Sequence, residues 1–130
     1  RVPSESMSPT LVPGYHVLLD ELAYSGAQPQ RRELVVAHDP TGGGLLLKRV
    51  VAVGGDEVGV EDGVPVEETF YDQKTVDGVY FGPLRVPDRR VFLLGDNRGN
   101  SVDSRDFGAV PISSLVGRVR LRLWPDAGAL

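Results

Sequence analysis

Glycine or proline interrupts this chain every few residues, with 16 Gly and 10 Pro among 130 positions. Long helices do not tolerate that spacing, because proline removes an intrahelical donor and each glycine costs about 1 kcal/mol relative to alanine. Between the interruptions lie short runs rich in Val and Leu, which is the signature of β-strands. Strands are expected at Tyr15 to Leu19, Glu33 to His38, Leu45 to Val53, Glu57 to Glu61, Val64 to Glu67, Arg90 to Leu94 and Val116 to Trp124. The last is the clearest. Gly117, Val119, Leu121 and Leu123 alternate with Arg118, Arg120 and Arg122, so a period of two sends the apolar set inward and the guanidiniums outward. Asp62-Gly63, between two such runs, predicts a tight hairpin turn, since Asp-Gly accepts the positive φ angles it needs. From Thr69 to Pro87 the alternation fades and Tyr71, Tyr80, Phe81 and Pro83 stand among polar residues, predicting an irregular excursion. The expected fold class is all-β, mainly antiparallel, with little helix. It is expected as one domain, with a core at about 1–53 and 90–124 and a small cap-like insertion at about 54–89.

Composition narrows the function. A formal net charge of -4 with 41% hydrophobic and 25% charged residues fits neither a basic nucleic-acid binder nor a disordered acidic tail. The longest apolar runs, Leu45 to Leu47 and Val50 to Val53, are split by Lys48 and Arg49, far short of the ~18 apolar residues of a membrane-spanning helix. The absence of cysteine removes disulfides, thiolate nucleophiles and cysteine-held metals, leaving oxygen and nitrogen to do any chemistry. The chain begins with Arg1 rather than Met, so a removed upstream targeting or anchoring segment is expected.

Three segments carry candidate reactive groups. In Pro3-Ser4-Glu5-Ser6-Met7-Ser8-Pro9-Thr10-Leu11 the serines are candidate nucleophiles, although alone such a segment is more often an ordinary solvated loop. In Leu45 to Asp56 the strand alternation puts Lys48 on the face of Leu46, Val50 and Ala52. Desolvation there disfavours the ammonium and turns lysine into a base near neutral pH, which arginine cannot become. The plainer alternative is an edge lysine extending its amine to water. The third segment, Leu94 to Gly108, is dense in Asp, Asn, Ser and Gly. Counted from Asp96 it has Arg98 and Ser101 where a calcium loop needs an acid or amide and a glycine. Its side chains are also expected to cap their own backbone, with Asp103 or Asp106 paired to Arg105. A Ser-His-Asp triad is disfavoured, because neither His16 nor His38 lies near a Gly-x-Ser-x-Gly motif. Metal is not expected from two histidines without ligand spacing.

Together and in this order, the segments resemble bacterial type I signal peptidases of the serine-lysine kind. The family's Ser-x-Ser-Met-x-Pro-Thr-Leu box is matched by Ser4 to Leu11, its Lys-Arg-x-x-x-x-x-Gly-Asp stretch by Lys48 to Asp56, and its Gly-Asp-Asn-Arg box by Gly95 to Gly108. The resemblance implies a partly open, barrel-like β core. It implies Ser6 as nucleophile and Lys48 as general base, within about 2.6 to 3.2 Å of each other. It further implies Ser101 orienting the lysine amine, an oxyanion hole made by the Ser6 N–H and the Ser4 hydroxyl, and Asp103 and Arg105 as a structural pair. The implied substrate is a secretory preprotein cut after a small-x-small site, its extended segment adding to sheet edges at Val2, Pro3 and Ser4 and at Leu45, Leu46 and Leu47, with Met7 near the first pocket. No cofactor and no nucleic acid are implied. A membrane helix normally precedes the serine box in this family, so the chain is expected to be an extracytoplasmic catalytic domain at the cell membrane, separated from its anchor and touching lipid. Two alternatives stay open: a self-cleaving serine-lysine regulator of the repressor type, and a non-enzymatic β binding module.

Overall fold

The computed structural model describes the chain except for residues 3, 62–63, 67–80, 98 and 100, and describes only the backbone at 60–61, 64–66 and 81–84. The strands are β1 (His16–Asp20), β2 (Leu34–His38), β3 (Leu45–Val53), β4 (Glu57–Glu61), β5 (Val64–Val66), β6 (Phe81–Arg85), β7 (Arg90–Leu94), β8 (Val110–Pro111), β9 (Leu115–Trp124) and β10 (Gly128–Ala129). A single turn of helix, α1 (Ser104–Phe107), and 3-10 turns at Glu5–Met7 and Ile112–Ser114 are the helical elements among the described residues. The fold is therefore all-β with little helix. One open sheet of seven strands runs β1-β9-β2-β3-β7-β8, with β10 added beside β9, and a second sheet runs β5-β4-β6. Every pairing between neighbours is antiparallel.

The core divides into clusters on the two faces of the large sheet. Val2, Met7, Leu11, Leu34, Leu47 and Val119 form one. Val35, Ala37, Val50, Val91, Leu93 and Val110 form another. Val51, Ala52, Phe92 and Leu94 meet Val58 and Val86 in a third, which packs the smaller sheet's residues against the larger.

The structure departs from simple alternation in three places. First, β3 carries a register shift against β7 between Val50, opposite Leu93, and Ala52, opposite Phe92. The extra residue flips the side chains beyond it, so Ala52 leaves the face of Lys48 and Val50 and joins the cluster of Val51. Second, Phe81–Arg85 is a strand, not part of an irregular excursion. It lies at the edge of its sheet, where the missing donor of Pro83 is tolerated. Third, the apolar face of β9 does not remain buried to its end, for Leu123 is 48% exposed. The arginines between have partners: Arg118 meets Glu33 at 3.3 Å and Arg120 meets Asp20 at 3.1 Å, and Arg122 donates to the Asp126 carbonyl at 2.8 Å. The Asp62-Gly63 turn and Tyr71 and Tyr80 lie outside the described residues, although the flanking strands do pair, Glu61 opposite Val64.

Candidate active site

Lys48 occupies the middle of the central strand. It pairs with Val35 of β2 on one side, while β7 joins the other side of β3 only from Arg49 onward. Lys48 is 3% exposed, and its amine donates to the Ser101 hydroxyl at 3.0 Å. Burial pushes the amine below the ordinary lysine range. The carboxylates of Asp103, Asp106 and Asp39 pull it back up and the Arg105 guanidinium pushes it down. The net direction favours the neutral amine that a general base requires.

The loop after β7 supplies the lysine's partner. Gly95 is required where that loop passes the site, because a β-carbon there would run into the Ser101 hydroxyl and the Ser6 carbonyl oxygen. Ser101 donates onward to Asp103 Oδ2 at 2.9 Å. Asp103 is fully buried. It also accepts from the Gly95 N–H at 3.1 Å, from the Arg105 N–H at 3.1 Å and from the Arg105 guanidinium at 2.9 Å to each oxygen. Burial favours the neutral acid, but these donors outweigh it and hold the Asp103 carboxyl below the usual carboxylate range. The same side chain caps α1 in a reciprocal capping box with Asp106. The expected self-capping loop and the Asp103–Arg105 pair are therefore both present.

Ser6 sits in the 3-10 turn, whose N-cap is Ser4. The Ser6 N–H donates to Ser4 Oγ at 3.4 Å and the Ser4 hydroxyl donates to Ser6 Oγ at 3.3 Å. Both contacts are longer than the roughly 2.5 to 3.2 Å of firm hydrogen bonds. The two groups assigned to an oxyanion hole thus hold each other loosely. Firmer ties come from the loop after β7. The Asn97 N–H donates to the Ser6 carbonyl at 2.8 Å, the Asn97 amide donates to the Glu5 carbonyl at 3.1 Å, and Thr10 Oγ1 donates to Asp96 Oδ2 at 2.7 Å. Asp96 is in turn gripped by Arg49 of β3, through Nε at 2.9 Å and Nη2 at 2.8 Å. Asp96, Asn97, Thr10 and Arg49 lay within the sequence boxes without a role. Their contacts span up to 92 positions, a separation that local pattern does not reveal.

Ser4, Glu5, Ser6, Leu46, Lys48, Gly99, Ser101 and Val102 line one cavity of about 500 Å³. The structure brings the serine and the lysine to that cavity, but among the described residues no hydrogen bond joins them directly. The amine is engaged by Ser101 and the hydroxyl by Ser4. Catalytic contacts commonly tighten only when substrate is bound. His16 packs edge-on against Trp124 at 6.0 Å, His38 is exposed at the end of β2, and neither lines the cavity.

The edge residues divide by burial. Leu45 is exposed, Leu46 lines the cavity, and Leu47 is buried in the core. A neighbouring apolar groove of about 220 Å³ runs between Arg1, Val2, Val17, Val36 and Leu45 to Leu47. The Val2 side chain is buried, and its backbone N–H and carbonyl are taken by Tyr15 and Gly14. Met7 is 1% exposed and belongs to the core rather than to the cavity wall. Pro3 lies outside the described residues.

The family model described as signal peptidase, peptidase S26, matches residues 1–124. A probable signal peptidase I-2 of Synechocystis is 35% identical over 95% of this chain and 62% of its own length. Thylakoidal processing peptidase 1 of Arabidopsis thaliana is 34% identical over 97% of this chain and 42% of its own. The crystal structure of a signal peptidase I from Enterococcus faecalis superposes with a TM-score of 0.55 at 27% identity, covering 71% of this chain and 97% of that one. The chain therefore spans less than two thirds of the length of the first two relatives.

Proposed function

The chain belongs to the signal peptidase, peptidase S26, family, and from that premise we propose that it is the catalytic domain of a serine endopeptidase that removes signal peptides from secretory preproteins through a Ser6–Lys48 dyad. One observation carries the assignment: a serine hydroxyl and a buried lysine amine, biased toward its neutral form, face the same cavity.

Neutral Lys48 takes the proton of Ser6 as its oxygen attacks the scissile carbonyl carbon. The oxyanion that forms accepts hydrogen bonds from the Ser6 N–H and the Ser4 hydroxyl, which give up their loose mutual contacts to do so. Collapse of the tetrahedral intermediate breaks the C–N bond, and the leaving amine takes the proton from Lys48. Lys48 then takes a proton from the water that attacks the acyl carbon and returns it to Ser6 Oγ as the acyl–oxygen bond breaks and the acid leaves.

Substrate enters as a strand. Residues 45–48 pair with β2 on one side, and among the described residues no strand pairs with them on the other, because β7 joins only at Arg49. That free edge beside Ser6 suits an extended peptide, which would gain main-chain hydrogen bonds there. Leu46 and Val102 on the wall of the cavity offer apolar surface to the small side chains before the cut. Exposed apolar residues on the β1–β9 pair, Leu18 at 45%, Leu123 at 48% and Trp124 at 57%, support a catalytic domain resting on the extracytoplasmic surface of the membrane.

The test is cleavage of a preprotein with a small-x-small site by wild type, Ser6→Ala and Lys48→Ala in the natural full-length protein with detergent. Each substitution is expected to reduce kcat by about 10³-fold or more, the scale set by loss of a nucleophile or its base in serine proteases, while circular dichroism stays unchanged. Turnover within a few-fold of wild type in either variant removes the dyad.

A further inference from the structure

The free edge that receives the substrate ends abruptly. A peptide laid along residues 45–48 meets β7 at Arg49, so beyond Lys48 it leaves the sheet and crosses the wall formed with the loop after β7. The two ends of the cleft are unlike. Toward Leu45 lies the apolar groove between Val2, Val17, Val36 and Leu45 to Leu47. A signal peptide places its apolar segment and its small residues ahead of the cut, so this end takes the signal side. The residues that become the mature chain are left with the other end.

There the cavity wall is open and charged. A β-carbon at Gly99 would meet nothing within 4 Å, which leaves room beside the loop for a departing chain. Glu5 stands on the same wall and takes no part in the apolar groove. The Asn97 amide ties the Glu5 carbonyl to the loop after β7 at 3.1 Å, and the Ser8 hydroxyl donates to Glu5 Oε2 at 2.9 Å. Glu5 nevertheless remains exposed, and the proton transfers derived above do not use it. The cavity's other acidic or basic side chain among the described residues is Lys48, which as the base is neutral before attack. Of the charged groups that act on its amine, Asp39, Asp103 and Asp106 are acids and Arg105 is basic, so the surroundings do not offset Glu5. The cavity therefore presents a negative charge to the residues that follow the cut.

Resting on the Ser6–Lys48 reading and on substrate entry along β3, we propose that Glu5 is a specificity-determining residue for the leaving side: its carboxylate faces the first two residues of the mature chain, favouring basic side chains there and disfavouring acidic ones. The enzyme then reads the protein it releases as well as the peptide it removes, and two preproteins with the same small-x-small site are processed at different rates.

The experiment measures kcat/KM of the full-length enzyme in detergent on preprotein peptides that share one signal segment and differ only in carrying lysine or glutamate at the first or second position after the cut. Wild type is expected to favour lysine over glutamate by about fivefold at low ionic strength, the size of one exposed charge contact. The ratio is expected to fall toward one at high salt, as that contact is screened. Glu5→Gln is expected to bring the ratio close to one at every salt concentration, and Glu5→Lys to invert it. Any general slowing caused by disturbing the turn of Ser6 affects both peptides alike and cancels in the ratio. The same lysine or glutamate placed far downstream is expected to make no difference. Equal cleavage of both peptides by wild type at low salt, a lysine preference that survives in Glu5→Gln, or an equal preference at far downstream positions overturns the proposal. None of these results touches the dyad, which fails only if Ser6→Ala or Lys48→Ala remains active, so the two readings are broken by different variants.

Discussion

The two halves of the proposed dyad are held by unlike means. Lys48 is built into β3, a nine-residue strand that pairs with β2 along residues 45–49 and with β7 from Arg49 onward, and its position follows from a register that shifts only by turning side chains to the wrong face. Ser6 stands on a three-residue 3-10 turn whose internal side-chain contacts are 3.3 and 3.4 Å long. Its placement is imposed from outside, by Asp96 and Asn97 of the loop after β7. Lys48 is fixed by the sheet and Ser6 by a clamp. The clamp itself is anchored on β3, because Arg49 grips Asp96 one residue along from Lys48.

Loosening the clamp tests that contrast most sharply. Asp96→Asn weakens the grip of Arg49 and the bond from Thr10 together. With side chains 25% and 14% exposed, the pair is only partly shielded, so a stability loss of about 1 kcal/mol is expected. The catalytic loss is larger. A nucleophile displaced by a fraction of an ångström is expected to lower kcat by roughly 10- to 100-fold, with KM less affected. Steady-state kinetics beside a thermal melt checks it, and an Asp96→Asn enzyme with wild-type kcat would show that the turn holds itself.

The complementary change acts on the rigid half, where the quantity compared is stability and the expected shift is small. Lys48→Met removes activity but spares the fold the cost of a buried amine, so stability at neutral pH is expected to stay level or rise by about 1 kcal/mol. The sign of the pH dependence follows from the lowered Lys48 value. Between that value and the ordinary one of around 10.4, the unfolded chain binds a proton that the folded chain does not. Wild-type stability therefore gains a rising contribution through this window as pH increases, and Lys48→Met loses that rise. Denaturant melts from neutral to alkaline pH measure it. An unchanged slope in the variant would mean that the amine is not dehydrated by the fold.

Much of this architecture was legible in the sequence because it is local. The spans of β3, β4 and β7 coincide with the runs Leu45 to Val53, Glu57 to Glu61 and Arg90 to Leu94, each bounded by Gly, Pro, Asp or a loop of them. The bulge that turns Ala52 away from the face of Lys48 is a property of the pairing with β7 and has no local mark. Strand β6 was hidden by Gly82 and Pro83, which a sheet edge accepts and a central strand does not. Helix α1 was short enough to miss, although Asp103-Ser104-Arg105-Asp106 carries a capping-box spacing. At the site, residue chemistry singled out Lys48, but its meeting with Ser6 came from the resemblance of three ordered boxes and not from spacing. The direct contact expected between them is replaced by Ser101 and Ser4, two hydroxyls whose orientation depends on residues distant in the chain.

Trapping the covalent intermediate tests the central claim most directly. Wild type and Lys48→Ala would be mixed with a preprotein peptide, quenched in acid within one turnover, digested and weighed by mass spectrometry. The account predicts an acyl adduct on the fragment containing Ser6 in wild type and no detectable adduct in Lys48→Ala. An adduct on another residue, or one that forms on Ser6 at the same rate without Lys48, would contradict it.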